Sequence, residues 1–398
     1  MRRARRQAGR VVVPDRVPNH AAVFHDIQVV PADAYRHRSM LTNGGPVWPD
    51  FDAQTLVRFM QGGRYVDAAV AASPGPLRVI DRACVWGGYA IPHFGHLVAD
   101  QMTRVLEARV NRPDDLFLFV TRPGVPVADM PGFVWQVLDW YGVARDQVHL
   151  VTEPLLVPEL RCYAQAEPSG SGGPSQHYLD LLAVNAVARG LQPLRADLVY
   201  VCRAGLLAMG KGGLAGEAYV MGLLARLGVR VLDPSQASLR EQLAVYEGAR
   251  VLVFAEGSAM HGRQLLGQVD QQIVILNRRP GARLAQAALA ARCTQLRYVD
   301  ACAHMIIIGS MAARKQKALA VSLYDLTALF ACFAGYGIDL QAAWDQVAFA
   351  AAVQQDAEAW LRAQAFTLGA AVFDLEYAYR QLHTAGVPVG RVFDAEGA

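Results

Sequence analysis

The hydrophobic positions in the second half of the chain follow two alternating patterns. Short apolar runs rich in β-branched residues predict buried strands, and stretches with apolar residues three or four positions apart predict helices. The predicted strands are residues 197–202, 229–232, 250–254, 272–276 and 296–299, and the predicted helices are residues 215–227, 238–247, 258–266 and one from about residue 283. Strands separated by single helices need crossover connections, so the region predicts a parallel sheet with its ligand crevice at the carboxyl ends of the strands.

One of these helices also carries a start signal. Ser238 stands at the predicted N-cap, and Glu241 follows three residues later. This spacing is typical of a capping box, in which the two residues bond to each other's backbone N–H groups.

The first half of the chain has a less regular α/β pattern. Residues 77–86 predict a hairpin, 97–110 a helix, 116–120 a buried strand, 133–141 a helix and 148–151 a further strand. We therefore expect an α/β domain here as well.

A stretch rich in glycine, serine and proline separates the two halves. Residues 167–175 (EPSGSGGPS) predict a loop near a domain boundary, followed by a helix at residues 176–189. From about residue 310 the chain is rich in alanine and has helical spacing. We predict a basic, flexible N-terminus at residues 1–20, an N-terminal α/β domain at 21–190, a Rossmann-like domain at 191–309 and a helical region at 310–398.

Composition excludes two classes of protein. With 398 residues, 53% hydrophobic and 18% charged, the chain has enough apolar material for two or three domains, which argues against general disorder. The formal net charge is +3, but five arginines lie within the first ten residues, where there is no acid. The remainder is slightly acidic, which argues against a nucleic-acid binder. The basic end is interpreted as a solvated terminus, with contact to anionic lipid as the alternative.

The sequence also carries signals about location. No apolar block follows the N-terminal arginines, and no uncharged apolar run reaches the ~18 residues that a membrane helix needs. The six cysteines include no CxxC pair, so we expect reduced thiols in a cytoplasmic protein.

The first candidate for chemistry follows the predicted strand at residues 250–254. Glu256 and Gly257 lead directly into a predicted helix whose first turn holds Ser258 and His261. Free N–H groups at such a helix end suit a phosphate group. The alternative is an ordinary capped helix in which Gly257 only makes the turn and His261 lies on the surface. The segment is not a nucleophile elbow, since the second glycine of that motif is missing.

The second candidate follows the predicted strand at residues 197–202. The loop RAGLLAMGKGG places Gly205, Gly210 and Lys211 in the spacing of a phosphate loop, but Gly212 stands where a Ser or Thr should hold magnesium. Arg203 and Lys211 could instead bind a diphosphate directly, because they lie at the same predicted sheet edge as the first candidate. The alternative is a mobile surface loop.

The third candidate lies in the first half, in HFGHLVAD. His96 and Asp100 are four residues apart on a predicted helix, so the carboxylate could orient the imidazole as a base. His93 is adjacent and could serve in its place. The alternative is an ordinary polar pair on a helix surface.

In order and spacing, these segments resemble glycosyltransferase family 61, in its bacterial branch. One resemblance is HFGHLVAD, with the family's histidine and the aspartate four residues later. The other spans residues 198–267: a strand followed by arginine, a glutamate that opens the next helix, a Ser-Leu-x-x-Gln helix, and a strand followed by a glycine loop. The residues that carry it are Arg203, Glu217, Ser238, Leu239, Gln242, Glu256, Gly257 and His261.

The resemblance implies a GT-B-like architecture, with two Rossmann-like α/β domains facing a cleft and, in this chain, a C-terminal helical segment. It implies that the second domain binds the nucleotide-sugar donor, that the first binds the acceptor, and that the mechanism is inverting. Two departures stand out. Many members have paired arginines where this chain has Arg203 alone, and the frequent His-Gly-Ala-Gly loop is Glu-Gly-Ser-Ala here.

We therefore expect an inverting glycosyltransferase that moves a sugar, with a UDP-sugar as first candidate, to a hydroxyl of a capsular or other cell-surface glycan. His96 is the expected base and Asp100 orients it. The expected donor-binding residues are Arg203, Lys211, Glu217, Glu256, Gly257, Ser258 and His261. No cofactor or metal is expected, since no DxD-like acidic pair lies near these segments.

The expected partners are the nucleotide sugar and a glycan or lipid-linked glycan acceptor. Weak contact with the inner face of the membrane and a homodimer stay open. Two other functions also stay open: a nucleotide-dependent phosphotransferase that uses the glycine-rich loop, and an inactive, carbohydrate-binding relative.

Overall fold

The structure is a computed structural model that describes residues 21–32, 35–36, 41–42, 44–121, 126–170, 172–308, 317–367 and 372–390. The basic N-terminus predicted at residues 1–20 lies outside the described residues. Outside them too are residues 309–316, 368–371 and 391–398, which overlap the predicted helical region.

The secondary structure is mixed α/β. In chain order the strands are β1 Ala21–Val30, β2 Tyr35–Arg36, β3 Leu41–Thr42, β4 Gly45–Pro46, β5 Met60–Gln61, β6 Arg64–Tyr65, β7 Arg78–Val79, β8 Cys84–Tyr89, β9 Leu116–Val120, β10 Val148–Leu150, β11 Leu155–Tyr163, β12 Ala196–Val201, β13 Gly213–Leu214, β14 Arg230–Leu232, β15 Ala249–Ala255, β16 Gln272–Asn277, β17 Gln295–Asp300, β18 Cys302–Ile306 and β19 Val321–Tyr324. The α-helices are α1 Phe94–His96, α2 Val105–Asn111, α3 Gly132–Trp140, α4 Gln176–Ala188, α5 Glu217–Arg226, α6 Leu239–Gly248, α7 Gln286–Ala290, α8 Leu326–Ala334, α9 Gln346–Thr367 and α10 Val372–Thr384. No helix in these described ranges is long and apolar enough to cross a membrane.

Residue contacts divide the chain into two compact units. The first unit extends to Gln192 and takes in His261–Val269 and Ala285–Arg292. The second comprises Pro193–Met260, Asp270–Leu284 and the residues from Cys293 onward. The first crossing therefore lies two residues beyond the boundary predicted between residues 190 and 191, and two short segments further along the chain return to the first unit.

The first unit is built on a mixed sheet in the order β10-β9-β8-β11-β1-β4, with β7 also paired to β11. Strands β8 to β11 pair in parallel, whereas β1 runs antiparallel to β11 along nearly its whole length. Buried side chains such as Val29, Trp86, Leu118 and Leu160 form its core. Strand β8 lies between β9 and β11, and all six of its residues are buried.

The hairpin predicted at residues 77–86 is wrong. Strands β7 and β8 both occur there, but each pairs in parallel with β11. The apolar run identified strand-forming residues, but the pairing was decided by β11, which lies about 70 residues further along the chain.

The helix predicted at residues 97–110 is interrupted. Helix α1 passes into a π-helical turn at Leu97–Gln101, and α2 begins only at Val105. All five residues of the turn are buried. Such widened turns often occur at functional sites, because they redirect side chains within a helix.

The second unit contains a five-stranded parallel sheet in the order β14-β12-β15-β16-β17. Every neighbouring pair is parallel, as predicted. The capping box at α6 is also confirmed, since Ser238 Oγ accepts from Glu241 N and Glu241 Oε2 accepts from Ser238 N. The order of the strands reverses between β12 and β15.

The C-terminal residues that are described pack into the core of the second unit. Buried Trp360 and Leu382, from α9 and α10, share one hydrophobic cluster with Tyr200 and Val253 of the parallel sheet. The expectation of helix is wrong for residues 321–324, which form β19. This strand pairs with β13 in parallel and with β18 in antiparallel fashion, and α8 begins after it at Leu326.

Candidate functional site

The second unit gathers polar residues at the carboxyl ends of three neighbouring strands. Arg203 follows β12, Glu256 and Gly257 follow β15, and Arg278 with Arg279 follow β16. Strand order reverses between β12 and β15, and ligands of open parallel sheets bind at such a reversal. We call these five residues the arginine cluster.

Arg203 is held in place by Glu217, the first residue of α5. The backbone N–H of Arg203 donates to Glu217 Oε1 at 2.9 Å, and the Tyr200 hydroxyl donates to the same oxygen at 2.6 Å. Burial raises the pKa of Glu217 to about 7, and burial also lowers the pKa of Arg203. The Arg203 Nε donates to the carbonyl of Gly212 at 2.7 Å, which ties the glycine-rich loop to the arginine.

Glu256 is the fully buried anion of the cluster. Its carboxylate accepts from the backbone N–H groups of Arg278 and Arg279 at 3.1 and 3.0 Å, and it forms an ion pair with the Arg279 guanidinium. These bonds from backbone and side-chain groups hold the Glu256 carboxylate in one position. It therefore acts as the structural counter-ion that holds the cationic groups together.

Arg278 is the most deeply buried of the three arginines. Its terminal nitrogens donate to the carbonyls of Lys317 and Ala318, while its Nε has no hydrogen-bond partner among the described residues. Burial lowers its pKa to about 10, and the positive charges of Arg203 and Arg279 act in the same direction. Three guanidinium groups therefore lie close enough to repel one another, which favours binding of an anion.

Two glycines let these side chains approach the backbone. A Cβ atom on Gly257 would lie 2.4 Å from Nη1 of Arg203, and one on Gly212 would lie 2.4 Å from Nη1 of Arg278. Any other residue at either position would have to displace a guanidinium. Gly212, which breaks the phosphate-loop pattern in the sequence, thus has a structural role.

A surface cavity of the second unit lies elsewhere. It has a volume of about 440 Å³ and is lined by Asp197, Arg230, Arg250 and Tyr336, among others. The first three lie at the amino-terminal ends of β12, β14 and β15, the edge opposite the arginine cluster. Ligands of parallel sheets bind at the carboxyl edge, so we assign the site to the arginine cluster.

The first unit holds a separate cluster around Asp100, in the π-helical turn. Asp100 is 2% exposed; its Oδ2 accepts from Gln61 Nε2 at 2.9 Å and its Oδ1 accepts from Ser169 N at 3.3 Å. His96, whose side chain is 41% exposed, places Nδ1 3.4 Å from Asp100 Oδ2 and 2.7 Å from Gln61 Nε2. The predicted proximity of His96 and Asp100 is present, with Gln61 inserted beside it.

A second chain of contacts in the first unit ends at His261. The His261 Nδ1 lies 2.6 Å from Gln264 Oε1, and Gln264 Nε2 donates to Glu167 at 3.2 Å. Arg292 donates to both carboxylate oxygens of Glu167, at 2.7 and 2.6 Å. Burial raises the pKa of Glu167, whereas the paired Arg292 opposes that shift.

The segment 165–169 joins these two sets of contacts. Gln165 donates to the backbone carbonyl of Asp100 at 2.7 Å, and Ser169 donates to the Asp100 carboxylate. Glu167, between them, belongs to the chain that ends at His261. Asp100 and His96 are also among the charges that act on the pKa of His261, which burial lowers. We call His96, Asp100, His261 and their glutamine partners Gln61 and Gln264 the imidazole cluster.

The structure thus separates the residues predicted for the site. Arg203, Glu217, Glu256 and Gly257 meet in the second unit, where Ser258 is half-buried and Lys211 is exposed on the loop. His261, predicted beside the donor, lies in the first unit with His96 and Asp100.

Sequence reasoning missed Arg278 and Arg279. They directly follow the strand QIVILN, at the edge where ligands were expected, so a pair of arginines after a predicted strand was the available signal. In the described parts of the chain, no three His, Cys, Asp or Glu side chains are grouped so that they could hold a metal ion.

Both clusters offer recognisable chemistry. The arginine cluster can bind a phosphate or diphosphate through charge-assisted hydrogen bonds, and the imidazole cluster can exchange a proton with a neutral group. In comparisons with known proteins, the sequence matches no family model and no curated protein.

Proposed function

We propose that the protein is an inverting glycosyltransferase that moves a sugar from a nucleoside-diphosphate sugar, first of all a UDP-sugar, to a hydroxyl of a glycan. The observation that supports it most is the meeting of Arg203, Arg278 and Arg279 at the reversal of strand order. A diphosphate leaving group gains charge as its bond to the sugar breaks, and fixed guanidinium groups stabilise that charge.

The proposed reaction needs cationic groups for the leaving diphosphate and a base for the acceptor hydroxyl. The acceptor oxygen bonds to the anomeric carbon while the bond from that carbon to the diphosphate oxygen breaks, and the electron pair leaves with the nucleotide. The hydroxyl proton passes to a base, for which His96 is the candidate from the sequence. A positioned base typically contributes ~10² to 10⁴ in rate.

The proposal includes a GT-B-like arrangement in which the second unit binds the donor and the first unit binds the acceptor. It also includes a cytoplasmic setting and a capsular or other cell-surface glycan as acceptor. These parts follow from the resemblance in sequence. The contrast in charge between the two clusters is compatible with them, because a diphosphate requires cations and a hydroxyl does not.

The first test measures nucleotide binding. Thermal shift and calorimetry with UDP, GDP, CMP and ATP, each with and without EDTA, should show tight binding of one diphosphate in both conditions. Turnover is then measured as release of that diphosphate from its sugar conjugates in the presence of methyl glycosides. Hydrolysis of ATP that EDTA abolishes would favour a phosphotransferase, and glycan binding without nucleotide binding would favour a carbohydrate-binding protein.

A matched pair of glycine variants makes this test specific. Gly257→Ala would place a methyl group against Arg203 and should weaken diphosphate binding at least tenfold, or about 1.4 kcal/mol. Gly222→Ala, within α5 and at ordinary contact distance from its neighbours, should bind as the wild type does. Equal affinities in the two variants would contradict the assignment of the donor site to the arginine cluster.

A further inference from the structure

The hydrogen bonds around His96 determine which of its ring nitrogens carries the proton. The Asp100 carboxylate can only accept, so Gln61 must turn its amide nitrogen toward Oδ2, 2.9 Å away. That same nitrogen lies 2.7 Å from His96 Nδ1. Nδ1 also lies 3.4 Å from Asp100 Oδ2, but the Gln61 nitrogen is closer and can only donate, so Nδ1 accepts from it. Neutral His96 then carries its proton on Nε2, where it can only donate.

The hydrogen bonds around His261 give the opposite result. Arg292 donates to both oxygens of Glu167, which therefore acts as an acceptor and draws the amide nitrogen of Gln264 toward itself. The Gln264 oxygen is then left to face His261 Nδ1 at 2.6 Å. Nδ1 must donate, so the lone pair of neutral His261 is on Nε2.

His261 is also available to act. Among the described residues, Gln264 is the hydrogen-bond partner of the His261 ring, and it contacts Nδ1, which leaves Nε2 unpaired. His261 is 8% exposed. The contacts of segment 165–169 connect it to Asp100. Burial lowers the pKa of His261 and so favours the neutral ring, while the negative charge of Asp100 acts in the opposite direction. An imidazole without a proton on Nε2 is the form that a base requires.

We propose that His261, rather than His96, takes the proton from the acceptor hydroxyl, and that His96 donates a hydrogen bond from Nε2 to the acceptor. This inference rests on the proposed glycosyl transfer and names its base. The hydroxyl proton moves to Nε2 of His261, the hydroxyl oxygen bonds to the anomeric carbon, and the nucleoside diphosphate leaves with the electron pair of the broken bond.

The arrangement explains why a buried ion pair lies behind an uncharged ring. Glu167 is 2% exposed and Arg292 is fully buried, and Gln264 links the pair to His261. The pair fixes which end of the Gln264 amide faces His261, because the Glu167 carboxylate can only accept. Gln264, Glu167 and Arg292 are therefore positioning residues for the tautomer of His261.

The tautomers can be measured without any assay of transfer. Nitrogen-15 spectra of the full chain with labelled histidine, assigned with His96→Gln and His261→Gln, should show Nδ1–H for His261 and Nε2–H for His96. Gln264→Leu should remove the preference at His261 and leave His96 as it is. A proton on Nε2 of His261 in the wild type would overturn the inference.

The role in transfer is tested by the same substitution at both positions. Glutamine can donate or accept a hydrogen bond where Nε2 lies, but it cannot take up a proton. His261→Gln should therefore lose ~10² to 10⁴ in kcat with nucleotide binding unchanged, whereas His96→Gln should stay within about tenfold of the wild type. His304→Gln, an exposed histidine of the second unit, is the control.

Each other outcome has a definite meaning. The reverse pattern, with His96→Gln the inactive variant, would return the base to His96 and overturn the inference. His261→Asn keeps a donor toward Gln264 and has no group at Nε2, so full activity in that variant would show that His261 is only structural. If the wild type releases no diphosphate from any sugar nucleotide, the proposed function fails, and the role of His261 in transfer fails with it, whatever the tautomer spectra show.

Discussion

The two clusters are built in different ways, although each lies in an α/β unit. The groups of the arginine cluster stand one or two residues beyond the ends of adjacent parallel strands, so the sheet itself brings them together. The imidazole cluster takes its groups from residues 61, 96–100, 165–169 and 261–264, which share no sheet edge and are joined by side-chain amides. Backbone topology places the first cluster, and hydrogen-bonded side chains place the second.

The clusters also differ in how they use buried charge. In the second unit the buried carboxylate of Glu256 lies directly among the arginines that would meet an anion. In the first unit the ion pair of Glu167 and Arg292 is separated from His261 by the neutral amide of Gln264. The same kind of buried pair therefore lies within a group of arginines in one unit and behind an amide and an imidazole in the other.

The largest expected effect is that of a substitution at Glu256 on the free energy of unfolding. Glu256→Gln removes the negative charge that compensates buried Arg278 and part-buried Arg279, so we expect the free energy of unfolding to fall by about 3–5 kcal/mol. Denaturant titration measures the change. Asp197→Asn, which breaks the exposed pair with Arg250, should cost a small fraction of this. Equal costs would show that Glu256 is not the counter-ion of the cluster.

The next effect concerns the pH dependence of the second unit. The pKa of Glu217 is raised from 4.5 to about 7, so the folded protein binds this proton more tightly than the unfolded chain. The resulting stability is fully present below pH 4.5 and is lost as pH rises through 7, by about 3 kcal/mol in total. Glu217→Gln, which cannot ionise, should therefore be more stable than the wild type at pH 8 and similar to it at pH 5.

Unfolding measured at several pH values in that range checks this prediction. The exposed Glu153→Gln is the matched control and should follow the pH profile of the wild type. A profile for Glu217→Gln that parallels the wild type would show that Glu217 stays ionised beneath Arg203.

Much of the arginine cluster could be predicted from the sequence. The strands near residues 200, 252 and 274 were located to within about two residues, and parallel strands share a carboxyl edge. Arg203, Glu256 and Gly257 were therefore expected together, and they are. Arg278 and Arg279 obey the same rule, since they directly follow β16 at Gln272–Asn277.

The imidazole cluster could be predicted only in part. His96 and Asp100 were found because they are four residues apart, but the turn that carries them is π-helical and not a regular helix. Gln61 lies 35 residues from His96, and Glu167 lies 125 residues from Arg292. No local pattern signals such pairs, since tertiary packing alone brings them together. The same limit explains why His261 was predicted beside the donor residues that precede it in the chain.

The smallest expected effects concern two helix N-caps, one in each unit. In the second unit, Ser238 Oγ accepts from Glu241 N at 3.3 Å and also donates to the Glu241 carboxylate at 2.7 Å. In the first unit, Ser175 caps α4 through a single bond from Tyr178 N at 3.2 Å. Ser238→Ala should cost about 1 kcal/mol and Ser175→Ala roughly half of that, because only the first breaks two bonds. Hydrogen exchange of the first-turn amides of α6 and α4 separates the two local losses, and a larger loss at α4 would mean that tertiary contacts, and not the capping box, hold the start of α6.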